Sequence, residues 1–121
     1  MLDNEALTRR IIGMAIEVHR NLGPGLLESA YEECLCLELD QAGIAHERQA
    51  TLPAAYKNLH IATAFRADVV ERQVIVQLKP VEHLAPVHEA RLLTYLKMSG
   101  HHVGLPMNFN TLQLTRRRFV V

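Results

Sequence analysis

Along the first forty residues apolar positions recur every three or four; beyond them they tend to alternate. Leu7, Ile11, Met14, Val18 and Leu22 form one stripe, widened by Ile12 and Ala15, and predict an amphipathic helix. Asp3 or Asn4 is placed to cap it, with Glu5 opening its body. Asn21-Leu22-Gly23-Pro24-Gly25 then makes a sharp corner. A second helix is expected from Leu26 to Gln41, with Tyr31, Leu35 and Leu39 in one row and Gly43 as C-cap. Glu28, Glu32 and Glu33 crowd its opening turns, which suits the positive end of the helix dipole.

Ile44–Tyr56 reads as a strand, with Pro53 marking an edge or a bulge, and Lys57-Asn58 as a turn. Ile61–Lys79, IATAFRADVVERQVIVQLK, reads as two strands joined near Glu71–Arg72. Phe65, Ala67 and Val69 alternate on the first, and Val74, Val76 and Leu78 on the second. These six are expected to share a dry face, leaving Arg66, Asp68, Gln77 and Lys79 together on the other. That arrangement needs paired residue numbers with an odd sum, hence a connection of two or four residues and not three. Pro80–Pro86 follows as a connector. Val87–Ser99 reads as a helix ending at Gly100, His102–Met107 as a short strand and Leu112–Val121 as a last one. The order predicts a small α/β (α+β) protein, a sheet flanked by helices.

The 121 residues suit a single domain, 1–121, and 49% of them are apolar, which is enough for a core without tryptophan. Formal charge is zero, so there is no general pull toward nucleic acid. Arg9, Arg10, Arg116, Arg117 and Arg118 still allow a local basic patch. No stretch approaches the roughly 20 apolar residues that span a bilayer. The first residues lack the apolar segment of a secretory signal, so a cytoplasmic location and no membrane partner are expected. Cys34 and Cys36 stand two apart on a helix, a spacing that does not bring them face to face, so a reduced pair is expected. None of the seven histidines stands at a standard zinc spacing.

Asp68 and Gln77 on neighbouring strands, with Lys79 two residues on, offer a carboxylate, a neutral oxygen ligand and an amine. Such a group can support Mg²⁺-assisted hydrolysis of a phosphodiester. Lysine would stabilise the transition state or assist the nucleophile. Glu28 can reach over the sheet from the second helix. Arg91 and Tyr95, one helical turn apart, can meet the same phosphate. The plainer alternative makes Asp68 and Lys79 an ion pair on a structural sheet.

Gly25-Leu26-Leu27-Glu28-Ser29-Ala30-Tyr31 resembles the signature of the GxxExxY family, placed in the PD-(D/E)XK nuclease-like superfamily. The resemblance continues through His46–Gln49, Phe65–Asp68, Val74–Lys79, Ala85–Ala90, Leu92–Lys97, Val103–Leu105 and Arg118–Val120. It implies a mixed sheet flanked by helices, with metal ligands on the central hairpin. Glu28 matches the family's helical acid, Tyr31 its tyrosine, Asp68 its metal-binding aspartate and Lys79 its lysine. Gln77 stands where the acid of the (D/E)XK motif is normally found, and Arg91 where a glutamine is common. These two departures take a charge from the implied metal site and add a positive one nearby.

Three functions follow as expectations. The first is a degenerate, weakly Mg²⁺-dependent nuclease-like protein, with Glu28, Asp68 and Gln77 as metal ligands and Lys79 aiding catalysis. On that account Gln77→Glu should restore metal affinity. The second is a noncatalytic module binding DNA or RNA through Lys79, Arg66, Arg91 and the terminal arginines, with Tyr31 and Tyr95 as further contacts. The third is a structural or protein-interaction domain, such as a homodimer.

Overall fold

The computed structural model describes residues 5–78 and 86–121. The capping candidates Asp3 and Asn4, Lys79 and the connector from Pro80 to Ala85 lie outside the described residues. The chain forms α1 (Glu5–Leu22), α2 (Glu28–Gln41), β1 (His46–Tyr56), β2 (Leu59–Val70) and β3 (Val74–Leu78). These are followed by α3 (Pro86–Ser99), β4 (Val103–Asn108), β5 (Thr115–Arg116) and β6 (Phe119–Val120).

The expected stripe on α1 is present and centres on Ile11, Ala15 and Val18, which are buried. Helix α2 opens two residues later than expected, at Glu28, and buries the row Tyr31, Leu35 and Leu39. It closes in a Schellman motif: Gly43 at φ +70 gives its N–H to Asp40, and the Ile44 N–H reaches back to Leu39. The Gly23-Pro24-Gly25 corner is pinned from inside α2. The Tyr31 hydroxyl donates to the Gly23 carbonyl at 2.7 Å and accepts the Leu26 N–H at 3.0 Å.

The strands form one mixed sheet in the order β1-β2-β3-β4-β5, with β6 also on β4. Strands β3 and β4 are parallel, and α3 makes the crossover between them. Both faces of β3 are covered, and all five of its residues are buried. On one face, Val70, Val74, Val76 and Leu78 meet α1 and α2 through Ile11, Tyr31 and Leu35. On the other, Ala67 and Ile75 meet Leu92 and Leu96 of α3. The expected last strand is divided in two, but β5 and β6 keep one register with β4 (Met107↔Arg116, Gly104↔Phe119). The gap falls opposite Leu105 and Pro106, where proline has no N–H to give. Pro53 falls at a register shift of edge strand β1, as its residue type requires.

The β2–β3 hairpin departs from the expected register. Val70 pairs with Val74, Val69 with Ile75 and Asp68 with Val76, so the paired numbers have an even sum. The connection holds three residues, Glu71, Arg72 and Gln73. Glu71 and Arg72 adopt φ +50 and +58, a left-handed pair uncommon away from glycine. Paired residues project to the same face, so Asp68 lies on the α1–α2 side with Val74, Val76 and Leu78. Gln77 lies on the α3 side with Ile75. The shared polar face expected of Asp68 and Gln77 is therefore corrected: the two side chains leave the sheet in opposite directions.

Candidate functional site

The described ladder between β2 and β3 runs from Val70↔Val74 to Asp68↔Val76. Next to its end, Arg66, Ala67 and Asp68 of β2 face Val76, Gln77 and Leu78 of β3 across a polar pocket of about 130 Å³. Glu28 from the first turn of α2 and Gln49 from β1 close one side. Arg91 and Tyr95 from α3 close the other, and the Tyr95 ring is stacked on Phe65 at 4.1 Å between centroids. The pocket thus gathers Glu28, Arg66, Asp68, Gln77, Arg91 and Tyr95 of the expected site residues. Asp68 and Gln77 thus line one pocket although their side chains leave paired strands on different faces.

Two expected members remain to be accounted for. Lys79 lies outside the described residues. Tyr31, expected to touch substrate, has no exposed surface; its ring stacks on Phe109 at 4.5 Å, and its hydroxyl is committed to the Gly23–Leu26 corner. Its part in the sequence signature is that of an internal pin. The arginines near the chain ends are also partly committed: Arg9 to Glu5, and Arg117 to Glu89 with its guanidinium over the Phe119 ring.

Sequence reasoning missed Glu32 and Gln49. Glu32 stands one turn after Glu28 on the same helix face and is 5% exposed. Gln49 sits in a bulge between Glu47 and Ala50 at φ +52. From there its backbone N–H donates to Asp68 Oδ1 at 2.7 Å, and its side-chain Nε2 donates to Glu32 Oε2 at 2.8 Å. Arg48 donates from Nε to Glu32 Oε1. The i, i+4 spacing of Glu28 and Glu32 was a usable signal. The left-handed glutamine was not, because glutamine has no special ease in that conformation.

These contacts set the protonation of the carboxyl pair. Burial first, then the hydrogen bond with Glu32, pushes the Asp68 carboxyl up to about 7. Burial also works to raise Glu32, but hydrogen bonds from Asp68, Gln49 and Arg48 outweigh it and leave Glu32 below the usual range. One proton is shared, and Asp68 holds it. Burial, and then the Asp68 charge, raise the nearby Cys36 thiol to about 11, and both cysteines are free.

Mg²⁺ requires several oxygen ligands in near-octahedral array. Asp68 is engaged by Glu32 and Gln49, and Gln77 presents an uncharged amide from the other face. Among the described residues no group of three or more His, Cys, Asp or Glu is placed to hold a metal ion. Gln77 is 7% exposed, and its Oε1 has no hydrogen-bond partner among the described residues. No helix among the described residues is long and apolar enough to cross a membrane.

No curated protein and no solved structure matches the chain significantly. Over residues 5–119 the sequence does match the PD-(D/E)XK nuclease superfamily. That span includes every strand but the last residue of β6, and the mixed sheet between α1–α2 and α3 agrees with it. The chain belongs to the PD-(D/E)XK nuclease superfamily.

Proposed function

We propose that this chain, a GxxExxY-type member of the superfamily, has a degenerate nuclease site and holds nucleic acid without cutting it efficiently. One observation carries the proposal. Arg66 and Arg91 line the same pocket, and neither makes a salt bridge among the described residues. The acid beside them, Asp68, is tied to Glu32 and Gln49. A pocket with two available guanidiniums and an occupied carboxyl favours a phosphate diester over a divalent cation. Tyr95 adds an aromatic wall beside the phosphate-binding groups. The zero formal charge of the chain places this attraction in the pocket and not in a general field.

Fluorescence anisotropy with labelled single- and double-stranded DNA and RNA tests it, first in EDTA and then in Mg²⁺. Binding without added metal is expected, weakening steeply with salt. Each phosphate contact on duplex DNA contributes roughly 0.9 to the log–log salt slope, so Arg66→Ala with Arg91→Ala should reduce the slope by about 2. Binding unaffected by the double replacement, or no binding at all, would count against the proposal. Efficient strand cleavage in Mg²⁺ would replace it with an active nuclease.

A further inference from the structure

Gln77 is 93% buried and leaves β3 toward α3, the side from which Arg91 and Tyr95 reach the pocket. The two ends of its amide differ. The carbonyl Oε1 is closed off from water and has no hydrogen-bond partner. The nitrogen Nε2 is not closed off, and no group among the described residues accepts its two N–H donors. A buried amide ordinarily finds its partners within the fold. This one finds none and lines a pocket of about 130 Å³, so its donors are left for whatever enters. Arg66 and Arg91 line the same pocket, and neither makes a salt bridge among the described residues. A carboxylate at 77 would meet an incoming anion with acceptors and a charge of the same sign; the amide meets it with N–H groups and no charge.

We propose that Gln77 is a phosphate-binding residue, its Nε2 donating to a non-bridging oxygen of a phosphate group held by Arg66 and Arg91. The amide at 77 then does more than take a charge from the site. It supplies a neutral donor at a place where an acid would repel the ligand, and a hydrogen bond to an ionised acceptor is stronger than one between neutral groups. The inference rests on the reading of this pocket as a seat for phosphate, and it names the chemistry that a nucleic-acid backbone and free phosphate share.

Two measurements in EDTA test it. The first needs no variant. In nitrogen-15-labelled parent chain, inorganic phosphate titrated against chloride at constant ionic strength should shift the Gln77 side-chain amide pair together with the Arg66 and Arg91 Nε–H signals. A Gln77 pair that stays fixed, or that moves equally with chloride, overturns the inference. The second uses labelled oligonucleotides. Gln77→Met keeps the length of the side chain and loses its donors, and it should weaken binding by about tenfold or more, the loss of one hydrogen bond to a charged group. Gln77→Glu should weaken it further. Gln77→Glu binding as tightly as the parent overturns the inference and leaves the reading of the pocket intact. A parent chain that binds no nucleic acid sinks that reading instead; a Gln77 pair that still moves with phosphate then upholds the inference, with free phosphate as the ligand.

Discussion

Asp68 is held as a carboxylic acid below neutrality because burial and Glu32 retain its proton. An unfolded aspartate titrates near 3.9. Between about pH 4 and about pH 7 the unfolded chain has released a proton that the folded chain still binds, so this group's contribution to stability falls as pH rises through that window. Glu32 has the opposite sign: its contribution is present above the ordinary glutamate range and is lost as pH falls through its lowered folded value. Asp68→Asn keeps an acceptor for the Gln49 N–H and a donor for Glu32, but it cannot ionise. It should raise stability at pH 8 by roughly 1.5–3 kcal/mol, the worth of a hydrogen bond to a charged group. At pH 5 the gain should shrink toward zero. Urea midpoints of both proteins at the two pH values check this; an equal shift at both would show that Asp68 does not titrate in that window. Asp68 and Glu28 could be picked out from residue type and spacing. The partners that decide their chemistry could not, since Gln49 acts through a bulge and a backbone conformation that its side chain does not advertise.

At the scale of elements, the helices were legible because each buries only one stripe. Ile11, Ala15 and Val18 on α1, and Tyr31, Leu35 and Leu39 on α2, repeat with the helix and mark its inner side. Strand β3 gives no such mark: Val74–Leu78 is buried on both faces, so alternation cannot say which residues face which helix layer. Its orientation then rests on connection length. Glu71, Arg72 and Gln73 include no glycine or asparagine to announce a left-handed turn. The crossover α3 leaves a testable trace on β4. A Cβ built on Gly104 would stand 2.9 Å from Leu92 Cδ1, and Leu92 is fully buried and has little room to yield. Gly104→Ala should therefore destabilise the fold by about 1–3 kcal/mol, the usual cost of overpacking. A urea midpoint that falls with an unchanged slope would agree; an unchanged midpoint would mean that α3 packs less closely on β4.

The described residues form two cores with one sheet between them, and β3 supplies both: Val74, Val76 and Leu78 to the α1–α2 side, and Ile75 to the α3 side. Neither layer can separate without exposing the strand that the other layer also covers. The chain should therefore unfold as a single domain in one transition. Tyrosines report on both sides, Tyr31 from the α1–α2 core and Tyr95 from the α3 layer, and there is no tryptophan to mask them. Urea unfolding followed by tyrosine fluorescence and by far-ultraviolet circular dichroism should give coincident curves. Leu35→Ala in one core and Leu92→Ala in the other should each cost ~2–5 kcal/mol, as buried leucine truncations do. Each should move the whole curve and not split it. A Leu92→Ala curve with an early step, in which part of the tyrosine signal changes while most helical signal persists, would show that α3 detaches from a sheet that stays folded on α1 and α2. The pocket that spans the sheet would then be open at Arg91 and Tyr95 before the fold is lost, and the phosphate contacts proposed there should disappear at the same urea concentration as that first step.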